Sequence, residues 1–485
     1  MLQTFRLLSE VIRQQRALRA GRDGLLKLQR QRLAELVAHA KQKSPFYAER
    51  LRDVDPDHFE LSRLPTLNKT QMMENFDRLL TVRDLKRAEL EPFVNDANRL
   101  GEWFRGKYAL TRTSGTQGLK AIIVQDRWMM ELLFALQIGR ASVFPTTFLG
   151  VLTRLFSKAR LASITIGRGF YPSSSGLAYR PKGADLLVNQ LWLKHIEPLE
   201  EAVQQLNEFQ PHVLLAYANV LEILAREELA GRLRLTRDGS LRQIINMSEP
   251  LGDGAKRLVR EAFGLPITDN YATGECMALS TGCPEGHGMH LQADWVVLEV
   301  VDRNNNPVPD GTPGDKVLIT NLYNTIQPFI RYETDDIVTM SPTPCPCGSP
   351  LPLIKKVEGR KDEAVWIKDG DRFRQVHPYV FVDVLDERPE VGWYQIIQEE
   401  RNRFRLRASP APEREIKVEE LKKVMNEGLQ RFGLAGLIRF EVEVSDDVAP
   451  DIMSGKLKRV SSNVGPPQDA PKPDAEPVRA AAKQK

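Results

Sequence analysis

Between Thr111 and Val124 the chain reads TRTSGTQGLKAIIV, which sets two glycines and a run of hydroxyls in a turn just ahead of an apolar strand. Such a loop suits phosphate. Gly115 and Gly118 let backbone N–H groups approach an anion, Thr113, Ser114 and Thr116 add hydroxyl donors, and Lys120 adds charge. The Walker pattern GxxxxGK[ST] is absent, and an ordinary surface loop is the competing reading. A second group comprises Cys276, Cys283, Cys345 and Cys347, with His287 and His290 close behind Cys283. Thiolates and an imidazole make a tetrahedral zinc site when four converge, and the CPCG turn supplies two of them. Zinc is favoured over four unrelated buried thiols.

Five stretches then occur in an order that is more specific than any one of them: TSGTQGLK at 113–120, NYATGE at 270–275, IRYETDD at 330–336, GRKD at 359–362 and SGKLKR at 454–459. This series resembles the adenylate-forming superfamily of acyl-CoA synthetases, and more closely its phenylacetate-CoA ligase-like branch. SEP at 248–250 resembles the branch's adenine-binding turn, and KSPFYAERL and LPTLNKTQM resemble its opening, so the likeness covers about residues 25–462.

The resemblance implies an α/β fold: a large N-terminal adenylate-forming domain with mixed sheets plus a small C-terminal α+β domain. It implies that Thr113, Ser114, Gly115, Thr116 and Gly118, with Lys120 beside them, hold the ATP phosphates. Glu275 would coordinate Mg²⁺, and Glu249, Pro250 and Tyr271 would border the adenine. Asp336 would accept from both ribose hydroxyls, with Arg360 near the same nucleotide. Asp362 matches the family's hinge, about which the small domain swings between half-reactions. Lys456 matches the lysine that meets the reacting carboxylate and the α-phosphate. Catalysis would fall to Lys456, Glu275 and Thr116. In some relatives Cys, His and a later Cys-x-Cys bind zinc, which implies Cys283, His290, Cys345 and Cys347 as a structural site; Cys276 or His287 stay open as substitutes. Residues around Phe144 to Tyr171 and Tyr217 would shape the acyl pocket.

The implied activity is ATP-dependent activation of a carboxylic acid, an aromatic acid being one option, through an acyl-adenylate and then transfer to coenzyme A. The cofactors would be ATP/AMP, Mg²⁺, coenzyme A and structural Zn²⁺. Two alternatives stay open: an amine, hydroxyl or carrier protein as acceptor, or a non-catalytic nucleotide-binding or membrane-associated scaffold. The motifs also depart from the family pattern. Ala272 stands where a Gly is usual, Gly274 takes a hydroxyl position with Thr273 one place early, Asp335 replaces the Gly before the last Asp, and Met247-Ser248 replaces a Gly-Ala pair.

These residues need elements to position them. AIIV at 121–124, VLLAY at 213–217, QIINM at 243–247, LEVV at 298–301 and KVLIT at 316–320 read as strands. HIEPLEEAVQQLNEF and GDGAKRLVREAFG read as intervening helices, the alternation of an α/β domain. After 362 the elements become shorter and more charged, with YQIIQEE and RFRLRA as strands around a helix at 413–432. The expected domains are a basic helical segment at 1–52, a large ATP- and acyl-binding domain at 53–360, a small mobile domain at 361–464 and a disordered tail at 465–485. The tail holds five prolines and almost no large apolar side chain.

With 485 residues, 42% of them hydrophobic, the chain can bury a sizeable core. A net charge of +4 is too balanced for a surface built to grip nucleic acid, and no nucleic-acid partner is expected. The basic excess is local: residues 1–52 hold twelve Lys/Arg against four Asp/Glu. Leu2, Phe5, Leu8 and Ile12, then Leu33, Leu36, Val37 and Ala40, recur at helical spacing. A docking helix with a solvated basic face is expected; an interfacial membrane anchor and a mitochondrial transit segment are the competitors. No run approaches the ~20 apolar residues of a spanning helix. Four cysteines suit a reducing compartment, and the expectation is cytoplasmic. The sequence leaves the oligomeric state open.

Overall fold

A computed structural model describes residues 2–113, 120–140, 158–165, 169–194, 198–237, 239–247, 252–360, 365–370, 372–376, 379–385, 388, 390–411, 414–430, 433–445, 447–448 and 459–464. It divides into two units, Met1–Pro250 with Val259–Val357, and Leu251–Leu258 with Glu358–Lys485.

The first unit opens with helices α1 (Leu2–Arg19) and α2 (Gly21–Lys43), joined at Gly21, whose φ of +68° suits a residue without Cβ. Leu7 and Val11 of α1 pack with Ala135 and Ile138 of α3 (Arg127–Gly139), and Leu36, Val37 and Ala40 of α2 join the main core. Inward-facing polar groups are satisfied too. Gln14 accepts from Trp295 Nε1 at 2.8 Å and Arg140 Nη2 at 3.1 Å and donates to Glu10 at 2.6 Å. Arg140 grips Asp294 with two bonds of 2.8 Å, Arg32 adds a third at 3.1 Å, and the Arg32 guanidinium lies 3.3 Å from the centroid of Trp295. Burial alone would raise the Asp294 carboxyl, but the two guanidiniums outweigh it and hold it below its ordinary value. Part of the N-terminal basic excess is therefore spent inside the fold, as a docking helix requires.

Strands β1 (Tyr108–Arg112) and β2 (Ile122–Asp126) form an antiparallel ribbon. Five parallel strands follow: β3 (Ala159–Thr165), β4 (Val188–Lys194), β5 (Val213–Tyr217), β6 (Gln243–Met247) and β7 (Ile267–Asn270), in the order β4-β3-β5-β6-β7. Buried positions dominate β3, β5 and β6, whereas the edge strand β4 keeps exposed ones at Asn189 and Lys194. The helices Leu199–Phe209 and Asp253–Phe263 fall where the sequence puts them.

Strands β8 (Ser280–Gly282), β9 (Met289–Leu291), β10 (Val296–Val301), β11 (Lys316–Asn321), β12 (Phe329–Thr334), β13 (Asp336–Met340) and β14 (Leu353–Arg360) build two further sheets, β10-β11-β12 and β13-β14-β9-β8. Arg331, at φ +50°, is clamped inside: its guanidinium takes both oxygens of Glu299 at 3.1 Å and donates to the carbonyls of Ser62 and Leu64. Leu67 makes an isolated parallel bridge to Tyr332 of β12, after which the LPTLNKTQM stretch turns into the helix Lys69–Glu74, capped by Asn68.

In the second unit β15 (Val365–Asp369) and β16 (Arg372–Val376) make a hairpin, and β17 (Val391–Glu400), β18 (Arg403–Pro410), β19 (Arg439–Val444) and β20 (Val460–Ser462) make a sheet ordered β19-β18-β17-β20. The helix Val418–Gln430 buries Leu421, Met425 and Leu429 in that unit's core. The molecule is thus mixed α/β, with a large part of several sheets and a smaller C-terminal α+β part. Among the described residues no helix is long and apolar enough to cross a membrane; residues 465–485 lie outside the described residues.

Removing Asp294 would leave the buried Arg140 guanidinium without its carboxylate. Asp294→Ala should cost about 3–5 kcal/mol in denaturant unfolding. A loss within the about 1 kcal/mol of an exposed pair would mean the network ties nothing.

Candidate active site

Strand order reverses around β3, the arrangement that places ligands at the carboxyl ends of parallel strands. Tyr217 ends β5, residues 248–250 follow β6, and NYATGE begins on the last residue of β7. Tyr217 is fully buried, its hydroxyl 2.8 Å from Ser173 Oγ.

Two hydrogen bonds cross between NYATGE and IRYETDD. Tyr271 Oη donates to Asp336 Oδ2 at 2.7 Å, and Tyr332 Oη donates to Glu275 Oε1 at 2.8 Å. Thr334 Oγ1 also donates to Asp336 Oδ2, at 3.0 Å. Both carboxylates are buried. The backbone behind Glu275 is held by Asn321 Nδ2, which donates to its carbonyl at 2.8 Å, and Thr273 turns the loop by accepting the Cys276 N–H on its hydroxyl at 3.1 Å. Among the described residues Glu275 has no ion pair and no second donor on its head group. A buried carboxylate so placed suits a hard cation, which would supply the missing charge.

The phosphate-loop segment enters at Thr113. Its N–H donates to Ala121 O and its Oγ1 accepts from Ala121 N–H, both at 3.0 Å, pinching the two ends of the loop together. Behind the pinch, Gln327 Oε1 accepts from Val124 N–H at 2.8 Å and Asn324 Nδ2 donates to Val124 O at 3.1 Å, pairing strand β2 with side chains. A Cβ on Gly274 would lie 2.8 Å from Thr113 Cγ2. The first two motifs are therefore in direct apposition, and that closeness gives a physical reason for glycine at the departure from the family pattern. Lys120 is exposed. Ser114, Gly115, Thr116, Gly118, Glu249, Pro250, Asp362 and Lys456 lie outside the described residues, as do the side chain of Arg360 and most of the segment from Phe144 to Tyr171.

Tyr332, Thr334 and Asn321 were not singled out from the sequence. A signal existed for the first two: in an extended IRYETDD, residues 332, 334 and 336 alternate onto one side. Asn321 gave none, because its partner is a backbone carbonyl 46 residues away.

The thiol and imidazole atoms of Cys283, His290, Cys345 and Cys347 all lie within 4.8 Å of one another. Cys283 follows β8, His290 sits on β9, and the other two occupy the turn between β13 and β14, where β14 pairs Leu353 with His290. The Cys283–Cys345 sulfurs are 3.6 Å apart, far from the ~2.05 Å of a disulfide, and Cys347 Sγ is 3.4 Å from His290 Nε2. A tetrahedron with metal–sulfur arms of ~2.3 Å has edges of about 3.8 Å, so this Cys₃His group is compatible with zinc. Burial lowers the His290 imidazole to about 4, which keeps it in the neutral form that ligates, and raises the Cys345 thiol to about 12. The two open substitutes fall elsewhere. Cys276 is buried against Tyr323, 3.8 Å from its hydroxyl, and His287 bonds Glu285 at 3.1 Å.

No family model matches the chain. It is 25% identical to the phenylacetate-coenzyme A ligase of Thermus thermophilus over 479 residues, 94% of this chain and 96% of that one. The chain is a homologue of phenylacetate-coenzyme A ligase. A second relative of this homologue, protein CapK of Staphylococcus aureus, is 22% identical over 324 residues, 65% of this chain and 63% of CapK. The fold agrees: 2-hydroxyisobutyryl-CoA ligase in the postadenylation state, in complex with R3-HIB-AMP, superposes with a TM-score of 0.68 at 19% identity, covering 90% of this chain and 89% of that one. In the thioesterification state, with 2-HIB-AMP and CoA, the same ligase gives a TM-score of 0.54 at 21% identity, covering 90% and 89%.

Gly274 offers a direct check on how closely the homologue's motifs meet. Gly274→Ala drives a methyl into Thr113 and should destabilise by about 1–3 kcal/mol in thermal or denaturant unfolding. Combining it with Thr113→Ser, which removes the opposing methyl, should recover most of that loss. No recovery would mean the two residues do not touch.

Proposed function

We propose that this chain is an AMP-forming acid–coenzyme A ligase acting on a carboxylic acid. The observation that carries the proposal is the apposition of Thr113, NYATGE and IRYETDD in one site, in a chain alignable end to end with a phenylacetate-coenzyme A ligase. A carboxylate is a poor electrophile. Its oxygen attacks the α-phosphorus of ATP, the bond to the β,γ-phosphates breaks, and pyrophosphate leaves with its electron pair. The resulting mixed anhydride then loses AMP when the coenzyme A thiol, giving up its proton, attacks the carbonyl carbon.

The resemblance to the adenylate-forming family gives the chain's own residues their roles in this chemistry. Thr113 and the hydroxyls and N–H groups of 114–118 bind the phosphates. Asp336, held by Tyr271 and Thr334, accepts from the ribose. Lys456 brings positive charge to the α-phosphate as negative charge builds up there. Glu275 would hold Mg²⁺, which supplies charge neutralisation on phosphate oxygens when bound. Cys283, His290, Cys345 and Cys347 would hold structural zinc, since four protein ligands leave no position for substrate. A cytoplasmic setting, where thiolate ligands stay reduced, fits this zinc assignment.

Pyrophosphate exchange into ATP with a panel of carboxylic acids tests the first half-reaction. Exchange should require an acid, and Lys456→Ala should lower it by about 10²-fold or more, the scale of removing one stabilising charge from a developing anion. Exchange with no acid in a broad panel would sink the enzyme reading, and undiminished exchange in the variant would sink the lysine's role. Metal analysis should find about one zinc per chain, falling to near zero in Cys345→Ser. A metal-free, fully folded parent would dispose of the zinc proposal.

A further inference from the structure

We propose that Tyr332 is a positioning residue that aims the Glu275 carboxylate at the cation; this rests on the assignment of Glu275 given above. Glu275 keeps only 6% of its surface exposed, and of its two head-group oxygens Oε1 is taken by the Tyr332 hydroxyl at 2.8 Å. Among the described residues Oε2 takes no hydrogen bond and the group has no cationic side chain beside it. One oxygen is tied and the other is left to act, which fixes the carboxylate plane while reserving a lone pair for a metal or a metal-bound water.

Tyr332 is itself given little freedom. Its ring is buried and packs edge-on against Phe329 with centroids 5.5 Å apart. Its backbone bridges Leu67, and the preceding Arg331 is clamped to Glu299 and to the carbonyls of Ser62 and Leu64. Asn321 holds the Glu275 carbonyl, so the residue is braced at both its backbone and its head group. The phenol does not need to touch nucleotide to matter: it acts through the carboxylate it orients.

The test uses the full chain with Tyr332→Phe, which keeps the ring and removes the hydroxyl. ATP binding is measured by calorimetry across a Mg²⁺ series, without acid, and the unfolding midpoint is recorded beside it. The variant should need about tenfold more Mg²⁺ to reach half-maximal ATP binding, the size of one hydrogen bond to a charged group. Its ATP binding in excess Mg²⁺ should lie within about twofold of the parent, because orientation is recovered once the cation is bound. A variant with the parent's Mg²⁺ dependence, whether or not it is less stable, would assign Tyr332 to packing alone and overturn the proposal. Glu275→Gln run in parallel separates the two levels. If that variant also kept the parent's Mg²⁺ dependence, the metal assignment of Glu275 would fall instead.

Discussion

A carboxylate taken out of water must be given back what water supplied. Glu275 receives one hydrogen bond from a phenol and nothing cationic among the described residues, a placement that suits the cation proposed for it. The surrounding architecture follows from that demand. Tyr332 must come from a strand held firmly enough to keep a 2.8 Å contact, and β12 is held by pairing with β11 and by the 62–67 segment, through the Leu67 bridge and the Arg331 bonds to Ser62 and Leu64. The loop carrying Glu275 must turn sharply after β7, and Thr273 and Asn321 hold that turn through backbone groups.

The Cys₃His group extends the same logic outward. Its four residues come from β9, from the loop after β8 and from the turn joining β13 to β14. One of those strands begins at Asp336, and β8, which leads into Cys283, starts at Ser280, not far beyond Glu275. A cation bound there closes a loop of about sixty residues, a constraint worth most when the closed loop is long. It would brace both walls from behind without entering the site.

The N-terminal helices show a different use of charge. Arg32 and Arg140 converge on one buried aspartate, and Trp295 is stacked by one guanidinium while donating to Gln14. Such a network is costly to desolvate and costly to break, which makes it a device for fixing position rather than for adding stability.

The sequence alone determined the class and the order of parts. The parallel strands VLLAY at 213–217 and QIINM at 243–247 fall on the expected residues because short β-rich runs bounded by polar turns have few other solutions. The motif series pointed to Tyr271, Glu275 and Asp336, and the cysteines with nearby histidines, together with the likeness to some relatives, to the four zinc-type ligands. Three things were decided only in three dimensions: that Gly274 abuts Thr113, that Cys276 and His287 stand apart from the Cys₃His group, and that Tyr332 meets the Glu275 carboxylate while Asn321 holds the Glu275 backbone carbonyl. Each depends on which distant backbone a side chain meets after packing. Local periodicity carries no trace of a partner dozens or hundreds of residues away.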